Sequence, residues 1–175
     1  MSRTADFIGI IPSRYASTRF PGKPLADIFG KPMIQRVYEQ AAKAIDTVFV
    51  ATDDTRIFRA VEAFGGRAVM TSPDHNSGTD RCAEAVLRAE SATGKSFSAV
   101  VNIQGDEPFT EPAQLQLLMS CFSSKDTEIA TLVRPVASAE ELADPNRPKV
   151  VVGSHGEALY FSRAAIPYLR GKQPG

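Results

Sequence analysis

The chain has 175 residues, with 20 Lys+Arg set against 20 Asp+Glu, 43% hydrophobic and 23% charged residues. That length fits one domain that buries roughly 70% of its unfolded surface without a disulfide or metal staple. Balanced charge and the lack of any apolar run of membrane-spanning length argue against nucleic-acid or membrane partners.

The first apolar run, Phe7 to Ile11, has strand length and ends at Pro12. A long loop follows, from Pro12 to Pro24. Pro32 opens a helix whose apolar residues Ile34, Val37, Tyr38, Ala41 and Ala42 share one face. Thr47 to Ala51 is the second strand. Thr52-Asp53-Asp54 can cap a helix from about Thr55 to Phe64, and Gly65-Gly66 ends it. Arg67 to Met70 is a third strand, followed by a polar loop and a helix from Thr79, its expected N-cap, to Ala92. Ala99 to Ile103 is the fourth strand, Gln104 to Pro108 a turn, and Pro112 to Phe122 a helix. Ile129 to Val133 reads as a fifth strand and Ala139 to Leu142 as a short helix. Lys149 to Val152 and Ala158 to Phe161 flank a turn and read as a hairpin. Strands alternating with helices imply a three-layer α/β/α arrangement around a mostly parallel sheet, made mixed by the late hairpin. In such sheets ligands sit beyond the carboxyl ends of the strands.

Cys82 and Cys121 have no metal-ligand spacing and read as buried thiols in a reducing compartment. Met1 to Phe7 carries no apolar signal core, so the expected location is the cytoplasm. His75 and His155 stand alone. No Ser/His/Asp or Cys/His set for covalent catalysis can be assembled from these residues.

Three loops carry the chemistry. The loop after the first strand holds Arg14, Arg19 and Lys23 and no acid, with Ser13, Ser17, Thr18 and the Gly22 amide as neutral donors. A triphosphate, with about four negative charges, needs such a cluster of cations and donors. The loop is neither a Walker A motif, since Pro24 follows Lys23, nor a dinucleotide fingerprint. A solvated surface loop is the plain alternative. The turn after the fourth strand offers Asp106 and Glu107 behind Gly105. Mg²⁺ usually takes one or two carboxylates beside phosphate oxygens, and Asp106 can supply one, or the pair can merely shape a turn and cap the helix near Pro112. The loop after the third strand, Met70 to Arg81, ends at a helix start. There the small residues Ser77 and Gly78 can admit a nucleobase edge, or the loop can be capped and empty.

At these loops the sequence resembles the 3-deoxy-manno-octulosonate (Kdo) cytidylyltransferases. The stretches are IIPSRYASTRFPGKPL (10–25), GKPMIQRVYEQA (30–41), VATDD (50–54), MTSPDHNSGTDR (70–81), VNIQGDEP (101–108), DPNRPKVV (144–151) and ALYFSRAAIPY (158–168). The resemblance implies a nucleotide-diphosphosugar-transferase-like fold and transfer of CMP from CTP to the anomeric hydroxyl of Kdo, for lipopolysaccharide biosynthesis. It implies that Ser13, Arg14, Ser17, Arg19 and Lys23 hold the triphosphate, and that Thr71, Ser77, Gly78 and Arg81 lie at the cytidine. By the same likeness Asp106 binds Mg²⁺, Gln104 and Arg163 meet the sugar acid, and Arg14, Lys23 and Asp106 form the catalytic set. Family members continue past this end with a histidine-leucine-glycine segment and a DTPED-like segment bearing a second metal-binding carboxylate. Neither occurs here, so the resemblance implies less than full activity for residues 1–175 alone, and a homodimer for the complete protein. The first loop argues against a sialate-activating relative. An amino-Kdo substrate, and a nucleotide-binding remnant without turnover, remain as alternative readings.

Overall fold

The computed structural model describes residues 6–16 and 20–168. The chain divides into two compact units, Met1–Ala130 and Thr131–Gly175.

The first unit is built on a four-stranded sheet in which every pairing is parallel: β1 (Phe7–Ser13), β4 (Val48–Thr52), β5 (Ala68–Met70) and β6 (Ala99–Asn102), in the order β5-β4-β1-β6. Alternate side chains feed two cores. Ile11, Val48, Val50 and Val101 face helices α1 (Met33–Ala41), α2 (Thr55–Ala63) and α4 (Pro112–Ser120). Ile8, Ile10, Phe49 and Ala51 face α3 (Gly78–Thr93), through Cys82, Ala85 and Ala89. The expected three layers are therefore present. Each wholly buried Ile or Val contributes about 1.5–3 kcal/mol, so these two faces drive the fold. Gly9 packs tightly at the centre: a Cβ there would stand 3.2 Å from both Ile45 and Ile103, and those side chains would have to shift to admit it.

The first strand continues through Pro12 to Ser13 instead of stopping at Ile11. Gly9 N–H bonds Thr47 on the β4 side, and the Ile10 carbonyl accepts Ile103 N–H on the β6 side. Two residues on, Pro12 again faces the β6 side, beyond the last pair Ile10↔Asn102. Its missing N–H therefore breaks no ladder bond. Asp54 caps α2 as expected, accepting the Arg56 amide at 2.9 Å. The cap of α3 is Ser77, not Thr79. Its hydroxyl accepts the Asp80 amide, and Gly78 takes the first helical position. A 3-10 turn (Lys23–Leu25) and a small antiparallel pair, β2 (Asp27–Ile28) with β3 (Lys31–Pro32), lead into α1.

The fifth strand and the burial of Cys121 also fail. Ile129 to Val133 forms no strand, and Ile129 is 90% exposed. A strand is a pairing rather than a property of one segment, and no backbone partner meets these residues among those described. Cys121, expected to be buried, is exposed at the end of α4, whereas Cys82 is buried.

The second unit contains α5 (Ala139–Ala143) and the hairpin β7 (Lys149–Val152) and β8 (Ala158–Ser162). The hairpin pairs with itself as a separate two-stranded sheet and does not add antiparallel strands to the main one. Glu141 gathers the Ala137 amide, Arg134 and Arg147, which together hold its carboxyl at a pKa of about 2. Among the described residues no helix is long and apolar enough to cross a membrane.

Candidate active site

The carboxyl ends of β1 and β6 form a cleft of about 370 Å³ lined by Ser13, Arg14, Lys23, Gln104 and Asp106, with Pro12, Met33 and Gly105 among its apolar or backbone surfaces. Both parallel strands direct their following loops to this edge, so segments about ninety residues apart meet there. Contact between them is close. A Cβ at Gly105 would lie 2.9 Å from Ser13 Oγ and 3.0 Å from the Pro12 carbonyl, so this position needs glycine.

Lys23 Nζ donates to Asp106 Oδ2 at 2.7 Å, with both side chains partly exposed. Two cations therefore face one carboxylate, and the cleft has an excess of positive charge. Ser13 is 3% exposed, and its Oγ is the one buried side-chain polar atom without a hydrogen-bond partner among the described residues. A buried hydroxyl without a partner carries a free-energy cost that a ligand oxygen can relieve. Asp106 lines the cleft and Glu107 does not. The Glu107 amide instead closes the turn onto the Gln104 carbonyl, so the turn reading describes Glu107 while Asp106 stays open to the cleft.

The expected base-side residues form a second cluster beside the cleft. Gly78 stands next to Pro12, where an added Cβ would meet the proline ring at 3.4 Å. Arg81 is 1% exposed and is the bulkiest wholly buried side chain among the described residues. Its guanidinium donates to Thr71 Oγ1 at 2.5 Å and to Asp53 Oδ2 at 2.7 Å. This latch joins the end of β4, the end of β5 and the start of α3. One helical turn later, Glu84 accepts the Ser72 amide at 2.9 Å, contacts His75 Nε2 at 2.5 Å and pairs with Arg88. The Ser72 amide first, and then His75, hold its carboxyl at a pKa of about 2. His75 is thus a loop-fixing partner of Glu84.

Ser17 and Arg19 lie outside the described residues. Arg163 lies in the second unit, where its Nη1 donates to the Pro145 carbonyl at 2.9 Å. Sequence reasoning gave Asp53 only a capping role and did not single out Glu84, Tyr15 or Arg56. Arg56 sits over the Tyr15 ring, 3.3 Å from its centroid. The Asp53–Arg81 contact is made across the fold, and local sequence carries no signal for it. The Glu84–Arg88 pair, at i,i+4 on one helix, is the part of the Glu84 cluster that local spacing could have shown. Burial pushes the Cys82 thiol up to about 11, so it stays protonated and takes no nucleophilic role.

Residues 8–173 match the cytidylyltransferase family. The chain belongs to that family. Within this cytidylyltransferase family it groups with proteins named 3-deoxy-manno-octulosonate cytidylyltransferase. The relative from Parabacteroides distasonis is 59% identical over 171 residues, covering 95% of this chain and 66% of its own length. That from Phocaeicola vulgatus is 57% identical over 167 residues, covering 94% and 65%. The chain thus spans just under two thirds of the length of these curated relatives. A solved CMP:2-keto-3-deoxy-manno-octonic acid synthetase complexed with CTP is 43% identical, with a TM-score of 0.82 over 95% of this chain and 68% of that one. A solved cytidylyltransferase from Leptospira borgpetersenii, 21% identical with a TM-score of 0.56, shares the fold.

Proposed function

We propose that the complete protein transfers CMP from CTP to the anomeric hydroxyl of 3-deoxy-manno-octulosonate, with Mg²⁺ as the metal. The observation that carries this reading is the cleft itself: Arg14, Lys23, the unpaired Ser13 hydroxyl and Asp106 converge beyond two adjacent parallel strands. Family membership and the CTP-bound relative support the choice of nucleotide and sugar acid.

In the proposed reaction the anomeric oxygen attacks the α-phosphorus. The bond to the bridging β-phosphate oxygen breaks, pyrophosphate departs with that electron pair, and the hydroxyl proton is lost. Such chemistry needs positioning and charge stabilisation and no nucleophilic side chain. Arg14 and Lys23 offset the charge gathering on the leaving pyrophosphate, joined by Arg19 in this reading. Ser13 and Ser17 donate to phosphate oxygens. Thr71, Ser77 and Gly78 shape the base side, and Arg81 holds that side in place through its latch to Asp53. Gln104, which lines the cleft, serves the sugar acid.

Among the described residues no group of three or more His, Cys, Asp or Glu could hold an ion unaided. One carboxylate, Asp106, stands in a cationic cleft. That donor set fits Mg²⁺ carried in by a triphosphate, with Asp106 adding one oxygen. When bound, the metal supplies Lewis-acid stabilisation of phosphate charge. The cytoplasmic setting and the homodimer implied by the resemblance belong to the same reading.

The test is pyrophosphate release by the complete protein with CTP, Mg²⁺ and Kdo. CMP-Kdo is the expected product, and Asp106→Asn is expected to lower kcat about 100-fold. Preference for an amino-Kdo would change the sugar, and CTP binding without product would leave a nucleotide-binding protein. An Asp106→Asn variant at wild-type rate would overturn the site.

A further inference from the structure

Arg14 and Lys23 line one cleft although a loop separates them in sequence. Their immediate neighbours, Tyr15 and Gly22, are fastened together. Gly22 N–H donates to the Tyr15 carbonyl at 2.9 Å. Gly22 also lies against the phenol edge, so close that a Cβ on it would stand 3.1 Å from Tyr15 Cε2 and Cζ. At φ 73° the position favours glycine on backbone grounds as well. The face of the same ring carries the Arg56 guanidinium, 3.3 Å from the centroid. Arg56 is itself fixed, donating to Asp54 Oδ1 at 2.9 Å and Oδ2 at 2.6 Å, and Asp54 caps α2. Tyr15 also packs against the core beneath the sheet.

We propose that Tyr15 is a positioning residue: its ring, gripped by Arg56 and seated against Gly22, closes the cationic loop so that Arg14 and Lys23 face one ligand. The chain of contacts runs from the first turn of α2 to the neighbours of both cations. It places the register of the two loop ends on a framework helix, adding to the Gly22–Tyr15 backbone hydrogen bond that joins them. A cation held over a ring contributes modestly by itself, yet displacement of charged groups by an ångström costs far more in phosphate binding. The inference rests on reading the cleft as a CTP site for its activity readout, and on nothing else for its structural one.

Two measurements on the complete protein test it, with Tyr15→Ala, Tyr15→Phe and Arg56→Gln. Hydrogen exchange at the Gly22 and Lys23 amides is expected to quicken at least about tenfold in Tyr15→Ala, and less in Arg56→Gln, with α3 unchanged. KM for CTP is expected to rise about tenfold in Tyr15→Ala while KM for the sugar acid stays within about twofold, and Tyr15→Phe restores both. Wild-type exchange in Tyr15→Ala overturns the clasp, as does a loss falling on kcat alone or equally on both substrates. If the complete protein does not use CTP, the proposed reaction fails and exchange alone decides: faster exchange at Gly22 with α3 unchanged upholds the clasp, and unchanged exchange removes it.

Discussion

Two polar regions stand side by side at the carboxyl edge of the sheet, and they treat their charges in opposite ways. Around the cleft, Lys23 and Asp106 are 38% and 54% exposed, Arg14 is exposed, and Ser13 Oγ has no partner. Around the neighbouring loop, from Thr71 to Arg81, the buried and half-buried charged groups are already paired. Arg81 is consumed by Asp53 and Thr71, and Glu84 by Ser72, His75 and Arg88. The first arrangement leaves charge and hydrogen-bonding capacity for an incoming anion. The second has spent its capacity on rigidity and offers a fixed surface instead. Both are rich in polar residues, so polarity alone does not mark a ligand contact; whether the groups are already satisfied separates the two.

The largest expected effect lies in the self-satisfied region. Arg81→Met removes one partner of a buried ion pair and strands Asp53, which is 17% exposed, together with the buried Thr71 hydroxyl. Breaking such a pair costs about 3–5 kcal/mol. The urea midpoint should fall accordingly, before any ligand is added. A loss below about 1 kcal/mol, the range of surface pairs, would erase the contrast between the regions.

Glu84 gives the intermediate effect and a sign that can be checked. Its carboxyl titrates near 2 in the folded chain, against an ordinary value of 4.5. A depressed folded pKa means the stabilisation is fully present above about pH 4.5 and drains away as pH falls toward 2. The difference in unfolding midpoint between wild type and Glu84→Gln should therefore be largest at neutral pH and shrink below pH 4.5. A constant difference across that window would show that Glu84 acts through shape and not charge.

The contrast also explains what sequence could and could not reveal. The four strands of the main sheet and its helices followed from apolar period and from Pro, Gly and Asp punctuation, because those signals are local. The cationic loop was legible since Arg14 and Lys23 flank a short acid-free stretch beside a strand. The place of Asp106 in the cleft was legible from its position in the turn after a strand. The Asp53–Arg81–Thr71 latch was not, because its members lie on three separate elements and only the fold's crossovers bring them together. Thr79 looked like a cap by residue type, yet Ser77 won because Gly78 could take the first helical position. Ile129 to Val133 had strand composition without a strand's partner.

The smallest expected effect on stability sits where the largest effect on binding does. Lys23 and Asp106 form a 2.7 Å pair, but both ends meet solvent, so the pair contributes about 0–1 kcal/mol to folding. Lys23→Ala should unfold within that margin of the wild type. On the proposed reading of the cleft, CTP affinity of the complete protein should nonetheless fall by about 10-fold or more, since the proposed charge-assisted contact to phosphate would be lost. Calorimetric titration beside a urea series on one preparation would measure both. If Lys23→Ala lost stability on the scale of Arg81→Met while keeping its CTP affinity, the cleft would be scaffold like its neighbour. The distinction between charges held in reserve and charges already spent would then have no functional content.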